Sequence, residues 1–345
     1  GLRRAPGMAW RWSRMACLCV GVVLAAFLSV YLVLVLVLQA HSARHMWQQH
    51  EFWCHDVRGV CERRIPFIVH QMYKDEALPS AWAETPATWQ RMNPGYRYML
   101  WTDHELHALI ANHYPWFLPV YNSYPNNIQR SDASRYFLLH RYGGIYADLD
   151  IVASKSIDQL IAGHEALLPL TPNIGITNAV MASTPGHEFF GFVIGELERY
   201  SQAWYHASRH ITIVSSTGPT FLWSAFLHYK GNASVALVPP AVWGKCTVCH
   251  PLCAEMAGAF FRHLSGGSWH TADSKAINNG ILCHPILLLI IAVLILSAVR
   301  RRVLWVPLAT VLAAYVFQER FDVDMWCAPF AWLMGIGDHG GGLAT

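Results

Sequence analysis

Gly143-Gly144-Ile145-Tyr146-Ala147-Asp148-Leu149-Asp150-Ile151-Val152 is the stretch on which the reading of this chain turns. Two glycines interrupt what precedes them, and an apolar strand-forming run follows. Asp148 and Asp150 stand two apart, so on an extended strand their side chains share one face. At the end of a strand that face opens into a cleft, which is where α/β sheets bind ligands. Two unpaired carboxylates there repel unless a divalent cation neutralises them, and Mg²⁺ and Mn²⁺ prefer oxygen ligands and bridge to phosphate oxygens. Asp148-Leu149-Asp150 therefore reads as a metal–diphosphate site, with one of the pair free to reach a sugar or ribose. A D-x-D triplet also arises by chance as a solvated turn. The glycine pair, the apolar strand and an upstream helix with Asp132 and Arg135 one turn apart favour the site.

Working outward, Ile128 to Arg141 has helical periodicity through Ile128, Ser131/Asp132, Arg135/Tyr136 and Leu138/Leu139, and Gly143-Gly144 ends it. Strands are expected at Ile65–His70, Tyr96–Trp101, Ile145–Val152, Ala166–Leu170, Asn178–Ala182 and Ala236–Val238. A helix starts at Thr102 or Asp103 and runs to about Asn112, and another spans Glu188–Arg199. Strands alternating with helices imply an α/β layered domain with a mostly parallel sheet.

Charged residues make up 14% and hydrophobic residues 54% of the 345, with a net charge of only +3. These values exclude disorder, a nucleic-acid-binding arm and a fibrous repeat, and favour a globular core with membrane segments attached. Met15 to Leu38 is 24 residues without a charge, about 36 Å of helix, preceded by four arginines and no acid. It reads as an anchor with residues 1–14 as a cytosolic tail. A cleaved signal peptide is the alternative, but its apolar region would be shorter. Ile281 to Val299 is a second apolar run, closed by Arg300-Arg301-Arg302, whose charge puts that end in the cytosol. Residues 303–317 either recross the membrane or lie in its interface, and 318–345 form a tail. Residues 39–280 are then lumenal.

Asn232-Ala233-Ser234, an N-glycosylation triplet, lies in that stretch. In an oxidising lumen Cys54 and Cys61 could close a local loop, and Cys246, Cys249 and Cys253 have the spacing of half a zinc site, so disulfides, buried thiols and metal all stand open.

The chain resembles the D-x-D sugar transferases of glycosyltransferase family 32, which include the yeast-type inositol phosphoceramide mannosyltransferases and the Golgi initiating mannosyltransferase. The residues that carry the resemblance are Ile65-Pro66, His70-Gln71, Asn93-Pro94-Gly95-Tyr96, Leu100-Trp101, Arg130-x-Asp132-x-x-Arg135-Tyr136, Gly143-Gly144-x-Tyr146-x-Asp148-x-Asp150, Asn178, Met181, Ser183-x-Pro185, Thr217-Gly218-Pro219 and Gly267-Ser268-Trp269-His270. They span about residues 65–275. The membrane run after His270 is similar to the sphingolipid branch.

The resemblance implies a GT-A-like, Rossmann-type nucleotide-sugar domain flanked by transmembrane helices, and retaining transfer. Asp148 and Asp150 would hold Mn²⁺ or Mg²⁺ and the donor, while Asp132 and Arg135 would contact the sugar. Tyr73 would stack near the base. His270, with Ser268 and Trp269, would close over the diphosphate or metal. His263 stands evenly between a site and a surface role, and Arg130 between a site and a plain helix charge. No residue suggests itself as a nucleophile, which leaves front-face attack by the acceptor. The expected reaction is mannose transfer from GDP-mannose to inositol phosphoceramide at the Golgi membrane, with a regulatory membrane subunit as partner and no nucleic acid. The alternatives are a galactosyl-, N-acetylglucosaminyl- or mannosyl-transferase acting on protein or lipid glycans, and a non-catalytic membrane subunit.

Overall fold

Helix and strand ends follow local chemistry. The Thr102 side chain accepts from the Glu105 N–H while the Glu105 carboxylate accepts from the Thr102 N–H, so a capping box starts the helix where the sequence puts it. Gly143 stops the D-x-D-side helix with φ +63°, its N–H donating to Leu139 O at 2.9 Å. The next residue, Gly144, also has positive φ, and a Cβ there would lie 2.5 Å from Ile68 O, so only glycine lets this strand enter beside its neighbour.

The computed structural model describes residues 61–171, 175–201, 208–244, 258–264 and 272–275. The chain divides into two units, 1–37 with 280–345 and 38–279, and every described residue belongs to the second. The elements in order are β1 (Ile68–Met72), α1 (Thr85–Met92), β2 (Arg97–Trp101), α2 (Asp103–His113), α3 (Leu118–Ser123), α4 (Asn127–Tyr142), β3 (Gly144–Ala147), β4 (Ile151–Ala153), α5 (Asp158–Ile161), β5 (Ala166–Pro169), β6 (Val180–Ser183), α6 (Glu188–Ser201), α7 (Arg209–Ser216), α8 (Pro219–His228), β7 (Ala236–Val238), α9 (Pro240–Trp243), β8 (Phe261–His263) and α10 (Ala272–Lys275).

A six-stranded sheet has the order β2-β1-β3-β6-β5-β7. The α/β expectation holds. The sheet is mixed: β1 is parallel to β2 and β3, and β5 to β7, but β6 runs antiparallel between β3 and β5. Side chains alternate across it, as a two-residue period requires. Tyr146, Leu168 and Met181 face a core built with Phe137, Leu138, Phe189, Phe190 and Phe221 of α4, α6 and α8. Ile145, Ala147, Leu167, Val180 and Ala182 face the opposite core, with Trp89 of α1, Ile161 of α5 and Phe261. The result is helix–sheet–helix layering, with β4 and β8 forming a separate antiparallel pair.

Among the described residues no helix is long and apolar enough to cross a membrane. The expected spans at 15–38, 281–299 and 303–317 lie outside the described residues, as do Cys54 and the Cys246–Cys253 cluster. Cys61 is disulfide-bonded.

Candidate functional site

The D-x-D residues sit where β3 leaves the sheet. The strand expected from Ile145 to Val152 is broken: the Asp148 N–H donates to Ala179 O at 2.8 Å and the Ile151 N–H to Asp148 O at 3.0 Å, so 148–150 is a turn joining β3 to β4. Leu149 anchors the turn in the interior, while the Asp148 and Asp150 side chains remain 30% and 13% exposed. Gln71 braces the turn, its Nε2 donating to Asp148 O at 3.0 Å and its Oε1 accepting from the Tyr98 hydroxyl at 2.8 Å.

One side of the site is a buried polar network. Arg135 Nη2 lies 2.8 Å from Asp132 Oδ1, and Arg135 Nη1 lies 3.1 Å from Asp148 Oδ1 and 2.8 Å from Asn178 O. The guanidinium stacks 4.9 Å over the Tyr146 ring, whose hydroxyl donates to Asp148 Oδ1 at 2.6 Å. Asn178 Nδ2 donates to Asp132 Oδ1 at 3.0 Å, and the Thr217 hydroxyl to Asp132 Oδ2 at 3.4 Å. Helical spacing brings Asp132 and Arg135 together at i, i+3, and the sheet brings Asp148 to them. Asp132 and Arg135 are 4% and 3% exposed, so Asp148 is the member of this trio that reaches the surface.

Burial dominates the electrostatics. It pushes the Asp132 carboxyl up to about 6, against the opposing pull of Arg135. Asp148 is likewise raised by burial, with Arg135 opposing and Asp150 adding to the rise. Burial alone would lower Arg135, but Asp148, Tyr146 and Asp132 more than offset it and hold the guanidinium fully charged.

The other side is simpler. His263 Nε2 lies 3.2 Å from Asp150 Oδ2, and the Leu264 N–H donates to Asp150 O at 2.8 Å. Asp150 Oδ1 is buried and has no hydrogen-bond partner among the described residues.

Each carboxylate thus has one engaged oxygen. Asp148 Oδ1 is taken by Tyr146 and Arg135, and Asp150 Oδ2 by His263. Among the described residues no group of three or more His, Cys, Asp or Glu side chains is placed to hold a metal ion. Two carboxylates with open oxygens fit a hard cation that completes its shell with diphosphate oxygens and water.

Tyr73 directly follows β1, at the same end of the parallel strands as the turn. Its ring packs edge-on to Trp82 at 6.3 Å, under Lys74 Nζ at 5.9 Å. Ser268, Trp269 and His270 lie outside the described residues. Arg130 bonds Tyr124 O and the Asn127 side chain and closes the start of α4. Trp101 is core, its indole donating to His70 Nδ1 at 3.0 Å. Asn178, Thr217, Gln71 and Tyr146 carry the site's hydrogen bonds, although their residue types gave them no role in the sequence. A cavity of about 20 Å³ bordered by Ile145, Leu160, Val180, Trp243 and Phe261 is wholly apolar and belongs to the core.

Residues 79–167 match the family model described as a glycosyltransferase sugar-binding region containing a DXD motif. The chain is similar to inositol phosphoceramide mannosyltransferase 1 of Schizosaccharomyces pombe, 36% identical over 217 residues, 61% of this chain and 64% of that one. It is similar to mannosyl phosphorylinositol ceramide synthase SUR1 of Saccharomyces cerevisiae, 37% identical over 226 residues, 63% of this chain and 56% of that one. The chain therefore spans less than two thirds of the length of either relative. Among solved structures it is similar to the PaToxG glycosyltransferase, with a TM-score of 0.39 and 12% identity over 56% of this chain and 79% of that one. Asp148-Leu149-Asp150 is the only D-x-D triplet within 79–167. Through residues 79–167 the chain is similar to a glycosyltransferase sugar-binding region, and Asp148-Leu149-Asp150 is the D-x-D triplet of that stretch.

Proposed function

We propose that this chain is a metal-dependent, retaining mannosyltransferase of GT-A-like fold that moves mannose from GDP-mannose to inositol phosphoceramide. The observation that carries the reading is the carboxylate pair at the end of β3, each member with one oxygen held by the protein and one left for a ligand. The two yeast relatives, a mannosyltransferase and a mannosyl lipid synthase by name, support the mannosyl group and the inositol phosphoceramide acceptor.

Transfer breaks the bond between the mannose anomeric carbon and the diphosphate oxygen and forms one to an acceptor hydroxyl oxygen. The acceptor proton passes to the departing phosphate in front-face attack. Mn²⁺ or Mg²⁺, when bound, offsets the charge that grows on the leaving diphosphate. Asp148 and Asp150 would hold it, with His270, Ser268 and Trp269 closing over the diphosphate. Tyr146 and Arg135 keep Asp148 oriented, and Asp132 keeps Arg135 in place. Asp132 and Arg135 border the sugar from beneath Asp148, and Tyr73 offers its ring to the base.

Golgi-membrane residence, with 15–38, 281–299 and 303–317 in the bilayer and a regulatory membrane subunit alongside, completes the proposal and brings the cleft to a lipid acceptor. Asn232 is exposed between α8 and β7, so its glycosylation, read as a glycosidase-sensitive mass shift, reports whether this face is lumenal.

The test is transfer of radiolabelled mannose to inositol phosphoceramide by the full-length protein with Mn²⁺, with and without chelator. Asp150→Ala should lose about 10³-fold or more, the several kcal/mol of charge stabilisation that metal catalysis supplies. Undiminished transfer by Asp150→Ala would end the metal-site reading, and a different preferred donor in a nucleotide-sugar panel would end the mannose assignment.

A further inference from the structure

We infer that His263 is a positioning residue: it holds Asp150 Oδ2 so that Oδ1 stays presented to the divalent cation. The inference rests on the metal reading above and adds a residue to it.

Asp150 occupies a turn, where nothing in its own backbone fixes the carboxylate. A quarter-turn about its Cβ–Cγ bond would swing the unpaired oxygen out of place, whereas a half-turn only exchanges two equivalent oxygens. That partial rotation is opposed from a strand more than a hundred residues away. β8 pairs antiparallel with β4 in the register Ile151↔His263, and just beyond it the Leu264 N–H donates to Asp150 O at 2.8 Å. Residue 150 is bracketed through its backbone on one side, while His263 Nε2 reaches its Oδ2 at 3.2 Å on the other. The oxygen His263 does not touch is the one buried without a partner among the described residues. A bonded oxygen beside an orphaned one is the arrangement expected of a carboxylate oriented for a ligand, since a buried acceptor left unmatched is otherwise unfavourable. Asp148 likewise has one oxygen, Oδ1, engaged, there by Tyr146 and Arg135.

As a contribution to folding the pair is a single contact between two partly buried side chains, 24% and 13% exposed. Removing His263 therefore tests position rather than stability. Partners that orient metal-binding carboxylates typically change affinity 10–100-fold when lost.

The experiment measures Mn²⁺ binding to the full chain in the presence of guanosine diphosphate, following free Mn²⁺ by electron paramagnetic resonance, alongside a thermal midpoint. His263→Ala should weaken Mn²⁺ binding by about 10–100-fold with little shift in the midpoint. His263→Gln, whose amide nitrogen reaches as far as imidazole Nε2 and can donate, should restore most of it. If the alanine variant does not fold, His263→Phe keeps the volume without the donor and takes its place. Mn²⁺ binding as tight as wild type without the donor, or no recovery in His263→Gln, overturns the inference. Asp150→Ala run in parallel separates the two claims. If it loses Mn²⁺ while the donor-less variant keeps it, only the role of His263 falls. If Asp150→Ala also keeps it, the metal site itself falls.

Discussion

The two carboxylates of the turn, two residues apart, live in opposite surroundings. Asp148 leans on a buried network in which Arg135, Asp132, Asn178, Thr217 and Tyr146 bond one another, Arg135 Nε alone being left without a partner among the described residues. Among the described residues Asp150 leans on a two-stranded ribbon and a single histidine, and keeps a buried oxygen unmatched. A group built into the interior is expensive to disturb because its partners are left charged or unpaired. A group with a single side-chain partner can be removed with little effect on folding and a large effect on whatever ligand its unpaired oxygen serves. The same residue type is thus scaffold in one place and instrument in the other.

The sharpest way to break the comparison is Arg135→Met. It strips the cation from between two carboxylates of which one is fully buried, and should cost about 3–5 kcal/mol of stability in denaturant unfolding. A cost below about 1 kcal/mol would show that the network is not scaffold. Asp150→Asn, by contrast, should leave stability within about 0.5 kcal/mol of wild type, since it keeps the side chain's shape and gives up only the contact with His263. A large loss there would erase the distinction.

A third test sharpens the scaffold side through pH. His70 is buried and neutral, Trp101 donating to its Nδ1 and its Nε2–H donating to Gly143 O at 2.9 Å, and burial lowers it to about 4. Its native form binds fewer protons than the unfolded chain between about pH 4 and 6.5, so its contribution is present above 6.5 and lost as pH falls toward 4. Asp132, raised to about 6, has the opposite sign. Its native form binds the extra proton, so its contribution is present below about pH 4 and is lost as pH rises through 6. The two slopes largely cancel in wild type. In Asp132→Asn the His70 slope stands alone, so stability should rise by about 2 kcal/mol more between pH 4.5 and 7 than it does in wild type. Parallel profiles would show that Asp132 does not take up the proton.

Much was legible along the chain. The capping box at Thr102, the helix ending at Gly143, β7 at Ala236–Val238 and the D-x-D itself are set by near neighbours, and their signals are local. The break at Asp148 was not, because apolar residues on both sides read as one strand: the Asp148 N–H still donates to Ala179 O, just ahead of the neighbouring strand, and the chain turns only where the Ile151 N–H donates to Asp148 O. Nor was the reversed direction of β6, since Val180–Ser183 looks the same in either sense. The β4–β8 ribbon joins two three-residue strands, too short to show a pattern and paired across more than a hundred residues.

The amino-acid order alone determined which side chains could do chemistry here: it set two carboxylates a fixed two residues apart and put Asp132 and Arg135 on one turn of helix. Only the tertiary structure decided which oxygen of each carboxylate is spoken for and which is open. That choice depends on Arg135, Tyr146 and His263 arriving from different elements, and such contacts are fixed by how the sheet and ribbon are threaded, not by any spacing along the chain.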